Sequence, residues 1–338
     1  MLTAQAIASC RSGSWDAATP AVSVVVATHD RAAFLPGLMA AIEQLQSPPG
    51  GLELVIADDG SSDVTWPQLR RHIAATRLPA LALRLPPCGG PSVPRNTAAA
   101  HARGALLALT DDDCLPEPGW VVALASALHA GAGIAQGTTL PVDGGPEGPW
   151  DRTIEVRPLS GLWETCNLGV HATAFCELGG FPVRSALRRA ARGFGEDVLL
   201  GAALARHHGA VAAPAAVVRH RWLPGSYRDH LAGRRRLVGF PMLVREVPEL
   251  RARMWSGRFL TRRTATVDLG LGALVAAGLS RRPIAAAAAL PWLVTATRDA
   301  RHRPGRPLAW RLAQVLAADL VAAASLAEGS IRHRTPLL

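Results

Sequence analysis

Residues 105–114 read ALLALTDDDC, an apolar run that stops in three consecutive aspartates, Asp111, Asp112 and Asp113. A short apolar run bounded this sharply predicts a buried strand whose C-terminal end opens on a crevice. Three adjacent carboxylates repel one another and add nothing to a core. A hard divalent cation relieves that repulsion, and Mg²⁺ is commonly held by one or two carboxylates together with substrate phosphates. The alternative is a solvated acidic turn.

The same pattern occurs earlier in the chain. Val22–Ala27 (VSVVVA) is β-branched and ends in the polar turn Thr28-His29-Asp30-Arg31. Leu52–Ala57 (LELVIA) ends in Asp58-Asp59-Gly60-Ser61-Ser62-Asp63, and Leu81–Leu85 is a weaker strand. Helices are predicted over 32–45, 69–76 and from Pro94 to Arg103. Strand, polar turn, helix repeats through the first 130 residues, the signature of a parallel sheet wrapped by helices. In such α/β sheets ligands sit beyond the carboxyl ends of the strands, where these polar clusters fall. Further on, 141–150 is a Gly/Pro-rich loop expected to act as a flap, and 162–170 reads as a strand or turn. A helix over 174–180 stops at Gly-Gly, and Gly193-Phe194-Gly195-Glu196-Asp197 opens an apolar helix to Arg206. A last core strand spans 211–218, where Pro214 predicts an edge position.

The 338 residues are 49% hydrophobic and 18% charged, which excludes a disordered chain. No lysine occurs, and charge divides unevenly. Residues 1–183 hold 10 arginines against 17 acids, whereas residues 184–338 hold 26 against 9. A strongly basic second half predicts an anionic partner, membrane or nucleic acid. Basic residues interleaved with Ala and Leu, rather than with stacking aromatics, argue against nucleic acid. After about residue 225 a basic helix runs through Arg236, followed by apolar stretches over 269–279, 284–297 and 308–326. Each is shorter than the ~20 residues that span a bilayer comfortably, so interfacial or re-entrant helices on an anionic leaflet are expected. A soluble alanine-rich helical subdomain is the alternative. Cys10, Cys88, Cys114, Cys166 and Cys176 form no CxxC pair and predict free thiols in a reducing compartment. The first 15 residues lack a basic start and a long apolar core, so no signal peptide is expected.

Taken in order, VSVVVATHDR, LELVIADDGSSD, GGPSVPRNTA, ALLALTDDDCLPEPGW, LGGF and GFGEDVLLG resemble a family 2 glycosyltransferase of the GT-A fold, over roughly residues 22–222. The resemblance implies a Rossmann-like, mostly parallel sheet flanked by helices, forming a catalytic domain over 21–225 with nucleotide binding in 21–115 and acceptor binding in 116–225. The residues themselves predict an irregular leader over 1–20 and, over 226–338, a basic, apolar α-helical C-terminal region in contact with membrane. The implied reaction is transfer from a UDP-, GDP- or dTDP-sugar to a glycan or lipid-linked acceptor hydroxyl, with inversion and with Mn²⁺ or Mg²⁺. The implied setting is cell-envelope glycan or glycolipid synthesis at the cytoplasmic face of the membrane.

Carried over residue by residue, Thr28 and Arg31 match the first nucleotide-contact turn. Asp58, with Asp59 beside it, matches the acid that reads the base, and Arg95 the basic residue near base and phosphates. Asp111 and Asp113 match the DxD signature around Asp112, with Asp113 expected on the metal and Asp111 on ribose or a metal-bound water. Asp197 of the Glu196-Asp197 pair matches the catalytic base. Trp163, Glu164 and Asn167 fall where the family builds its acceptor and sugar pocket, and His220 near the metal or phosphates. Processive members carry QxxRW; Arg219-His220-Arg221-Trp222 keeps only the Arg-Trp pair, which predicts single-sugar transfer. Two alternatives remain at this level. A sugar nucleotidyltransferase would need a Gly-rich loop with a phosphate-binding Lys, absent here. A non-catalytic membrane-associated sugar-nucleotide-binding protein has no use for Asp113 and Asp197 together.

Overall fold

The computed structural model describes all residues except Leu2, Ala17, Ala18, Cys88, Gly89 and residues 184–193. Cys88 and Gly193, both singled out above, lie outside the described residues. The chain forms two compact units: Met1–Asp143 with Thr153–Arg221, and Gly144–Arg152 with Trp222–Leu338.

The first unit is built on a sheet of nine strands among the described residues, in the order β1-β4-β3-β2-β5-β8-β7-β9-β6. Its centre is parallel: β4 (Ala80–Arg84), β3 (Leu52–Asp58), β2 (Val22–Thr28) and β5 (Leu106–Asp111). These strands are apolar on both sides because both faces are covered. Val24, Val26, Leu54 and Ile56 pack into one layer with Leu38 and Ile42 of α1 (Leu35–Glu43). Val25, Val55, Leu107 and Leu109 pack into the other with Phe175 and Ala98 of α3 (Ser92–His101). Alternate side chains thus feed opposite layers, and each full burial of a Val, Leu or Ile is worth about 1.5–3 kcal/mol. Helix α2 (Thr65–Ala75) links β3 to β4.

The outer half of the sheet is mixed. β8 (Leu168–His171) runs antiparallel to β5, β7 (Ile134–Pro141) antiparallel to β8, and β9 (Ala210–His220) parallel to β7. The short β6 (Cys114–Pro116) closes that edge against the end of β9. Helices α4 (Trp120–Leu128), α5 (Ala172–Glu177) and α6 (Glu196–His208) complete the unit.

One expectation is corrected here. The leader is not wholly irregular: β1 (Ala8–Arg11) pairs antiparallel with β4, and buried Trp15 lies under the Arg103 guanidinium at 3.8 Å. Pairing of that kind depends on a partner far along the chain, so no local pattern announces it. Pro214 does lie at an edge: β6 pairs only with Val218–His220, so among the described residues β7 is the one strand beside β9 at this point. The β7–β9 register shifts at Gly137/Thr138, so that Ala213 faces Gly137 and Val217 faces Thr138. Pro214 sits in that bulge, where a missing N–H costs no ladder bond.

The second unit is helical. α7 (Tyr227–Arg235) and α9 (Arg262–Ser280) open with capping boxes at Ser226/Asp229 and Thr261/Thr264. Between them lies α8 (Phe240–Glu246), and after them come α10 (Leu290–His302) and α11 (Leu308–His333). Val267, Trp292, Ala296, Ala300 and Val315 form its core. Arg263 grips Asp319 through Nε at 2.9 Å and Nη2 at 3.1 Å and reaches Asp299 at 2.9 Å. Trp292 Nε1 donates to Asp319 Oδ2 at 2.9 Å. The segment expected as a flap is pinned within this unit: Trp150 packs on Tyr227 and His230, with the Arg303 guanidinium 4.1 Å from its ring. The apolar stretch from residue 308 also runs longer than expected. At 26 residues α11 is the one described helix long and apolar enough to cross a membrane by length and composition.

Candidate active site

The chain leaves β2 for β3 on one side and later returns to β5 on the other. Opposite crossovers open a crevice at the strands' carboxyl ends. Register sets what faces it: Thr28 lies beside Asp58, and Ala27 lies between Ala57 and Asp111. A cleft of about 560 Å³ forms there, lined by Thr28, His29, Arg31, Asp59, Arg95, Asp111, Asp112 and Asp113 among others. That is ligand-sized.

The turns flanking the cleft are laced together. Asp30 has φ 50°, a left-handed conformation that Asp tolerates. Its Oδ1 accepts from Ser62 N at 2.7 Å, and its own N–H donates to Ser61 Oγ at 2.9 Å. Arg31 N donates to Thr65 Oγ1 at 2.8 Å. The neighbouring doublet divides its labour. Asp58 is wholly buried, accepts from Ser61 N at 3.0 Å and from Ser61 Oγ, and faces Arg84 Nε at 3.8 Å. Burial raises its pKa. Asp59 lines the cleft, whereas Asp58 lies outside its lining.

Charge in the cleft is crowded. Arg31 reaches Asp112 at 3.6 Å and Asp113 at 3.7 Å. Burial first, then Asp113, pushes Asp112 up to about 7. Burial and Asp111 also raise Asp113, against the pull of His220 and Arg31. Arg95 is a buried junction. Its Nη2 meets Asp111 Oδ1 at 2.5 Å, its Nη1 lies 3.6 Å from Glu196 Oε1, and the Phe181 ring lies 5.6 Å away. Burial opposes its charge, but Asp111 and Glu196 outweigh that and hold the guanidinium protonated.

Helix α6 begins just after Gly195, whose φ of 79° suits a residue without Cβ. This turn sets Glu196 and Asp197 at the helix head, where the macrodipole favours acids. Asp197 Oδ1 accepts from Val198 N at 2.9 Å. Burial, then the Glu196 charge, nevertheless pushes its carboxyl up to about 8. Asp197 is absent from the cleft lining; it joins the cleft through Glu196 and Arg95.

His220 ends β9 with Nε2 3.4 Å from Asp113 Oδ1. Its Nδ1 lies 2.8 Å from Arg221 O, and a carbonyl only accepts, so Nδ1 carries the proton. With Nδ1–H given to that carbonyl, Nε2 is the ring atom that faces the Asp113 carboxylate. A cation between them satisfies both, and ligands at right angles on a Mg²⁺-sized ion stand about 3 Å apart. The residues present therefore fit a divalent ion. Cys114 Sγ lies within 4.8 Å of the same atoms, but burial holds that thiol protonated, well above its usual range.

The acceptor-side residues separate. Glu164 accepts from Gln136 Nε2 at 2.8 Å and from Ser160 Oγ at 2.7 Å, and its charge raises Asp197. Gln136 went unremarked in the sequence, although a buried polar residue in an apolar strand was its signal. Trp163 is buried in the apolar layer around Leu200, and packs closely on Gly201. Asn167 is fully buried. Its Oδ1 accepts from Trp120 Nε1 at 2.8 Å, and its Nδ2 donates to Thr138 O at 2.9 Å and Ala216 O at 2.8 Å. Every polar group of Asn167 is spent holding the bulge, and Trp163 is core, so neither is free to line an acceptor pocket.

The mixed sheet, its switch-point cleft rimmed by acids and the acid-headed helix beside it fit the GT-A fold. Residues 23–181 match the family model described as Glycosyl transferase family 2. The fold is shared with the S. aureus TarS 1-349 structure in complex with UDP-GlcNAc, at 17% identity and TM-score 0.52, over 93% of this chain and 92% of that one. It is shared equally with the mannosyltransferase PcManGT from Pyrobaculum calidifontis in complex with GDP-Man and Mn²⁺, at 17% identity and TM-score 0.52, over 93% and 87%. No curated protein matches the sequence.

Proposed function

We propose that the chain transfers one hexose, with inversion and with a divalent cation, from a nucleoside-diphosphate sugar to an acceptor hydroxyl. The acceptor is a cell-envelope glycan or lipid-linked glycan at the cytoplasmic face of the membrane. The observation that carries this reading is Arg95, one guanidinium shared between Asp111 in the cleft and Glu196 beside Asp197. The nucleotide-sugar complexes of the two structural neighbours support the donor class, and the Mn²⁺ of one supports the cation.

Asp59, on the cleft wall with Gly90 N–H 3.4 Å from its Oδ2, takes the base. Arg31 and Arg95 turn toward the phosphates, where guanidinium forks suit anionic oxygens. Asp113 and His220, with Asp111 close by, would hold Mn²⁺ or Mg²⁺, which supplies Lewis-acid neutralisation of the departing diphosphate. Asp197 removes the acceptor proton as attack proceeds opposite the leaving group. A carboxyl raised to about 8 is a stronger base than an ordinary one and is poised near neutral pH.

The test is release of nucleoside diphosphate from UDP-, GDP- and dTDP-sugars by the full chain with Mn²⁺ or Mg²⁺. Asp197→Asn is expected to lower turnover by about 10²–10⁴-fold with donor binding kept. Asp113→Asn should lose metal-dependent donor binding. Full turnover in both variants would overturn the site assignment.

A further inference from the structure

The second unit leaves an apolar surface open that its own core does not use. Helix α9 is anchored near its start, where Ala265, Val267 and Gly270 are buried and Arg263 is tied to Asp319 and Asp299. From Leu271 to Arg282 no residue is buried. A solvent-facing helix end normally carries charge, but this one carries Leu274, Val275 and Leu279. Leu279 is 83% exposed and Ile284, past the turn, 81% exposed. Leu290, Leu293 and Val294 on the returning segment are exposed too. No acid occurs between Asp268 and Asp299, and the only charges in that interval are Arg281, Arg282 and Arg298.

We infer that residues 269–294 dock on an anionic lipid bilayer, lying flat in its interface. This deepens the membrane-contact reading above by assigning it to a segment. Apolar exposure on this scale marks an interaction surface. Its charge, basic without any acid, selects lipid phosphates as the partner. The ~15 Å of helix beyond Gly270 is too short for a ~30 Å hydrocarbon core. Upright insertion would also drive Arg281 and Arg282 into hydrocarbon, where arginine is costly. Lying flat, the leucines enter the acyl boundary and the arginines reach headgroups. Helix α11 has the length to span, but Val315, Ala318, Ala322 and Leu326 are buried inside the unit and Asp319 is ion-paired.

Co-flotation of the full chain with liposomes tests this. Binding is expected to phosphatidylcholine/phosphatidylglycerol vesicles, more weakly to phosphatidylcholine alone, and to fall with salt. Leu279→Glu/Ile284→Glu should weaken it at least about tenfold, and Arg281→Gln/Arg282→Gln by a similar factor at low salt. Leu320→Glu/Ile331→Glu on α11 should leave it unchanged. All six side chains are exposed, so the variants should melt with the parent. If the parent never floats, membrane contact and this assignment both fall. If the parent floats and Leu279→Glu/Ile284→Glu floats equally, only the assignment falls. A dimer broken by that pair, without vesicle binding, would give the surface to a second copy and overturn the inference.

Discussion

At Asp197, burial and the Glu196 charge both oppose ionisation. An unfolded aspartate titrates near about 3.9, whereas this carboxyl is pushed up to about 8. The folded chain thus holds the proton more tightly. The contribution is fully favourable below the unfolded pKa and is lost as pH climbs toward 8. Asp197→Asn should therefore melt above the parent, by a margin that widens from pH 5 to pH 8, while transfer collapses. A constant or reversed margin in thermal melts across that range would contradict the burial assigned here. Asn167→Ala should do the opposite. It strands Trp120 Nε1, Thr138 O and Ala216 O inside the sheet and should cost about 2–4 kcal/mol by denaturant titration, while leaving donor KM unchanged if the residue touches no ligand. The two cases show what a sequence carries at this scale. Three acids in a row declared a site. Which acid of the Asp58-Asp59 pair faces it was not legible, because strand side chains alternate and only the turn geometry decides where the face changes. Trp163 and Asn167 were legible as polar or aromatic residues near the site, but not as residues already used by the interior.

Among the elements, the central strands were legible because each is apolar throughout and ends in a polar cluster. β1 was not, because its stability comes from β4, some seventy positions on. In β9 the edge was legible from Pro214, but the bulge beside it was not, because an edge and a bulge satisfy a missing N–H equally well. Gly137 sits opposite that bulge, and a Cβ there would overlap the Asn167 amide and the Ala216 carbonyl. Gly137→Ala is accordingly expected to destabilise by about 1–3 kcal/mol, read as a lower midpoint in chemical unfolding. Gly195→Ala acts differently, since φ 79° is strained for any residue with a Cβ. Strain of about 1–2 kcal/mol falls on the turn that presents Glu196 and Asp197. The expected loss is in kcat, with donor KM kept; equal losses in both would mean that the turn also shapes the donor cleft.

For the whole molecule, the basic composition of the C-terminal half was plain from arginine counts, but the division of the chain was not. Nothing local in a Gly/Pro-rich stretch says that Gly144–Arg152 belongs with Trp222–Leu338. Trp150 shows why: its ring is sandwiched by Tyr227, His230 and Arg303. A chain ended after Arg221 should therefore aggregate, whereas the same chain with 144–152 replaced by a short Gly/Ser loop should elute as a soluble monomer in gel filtration. On the ribosome the consequence is one of timing. The indole emerges well before the aromatic and basic groups that will shelter it, so every nascent copy passes through an interval with a sticky hook exposed. Translation speed downstream of Trp222, and the chaperones waiting at the exit tunnel, thereby become part of how much active protein a cell obtains.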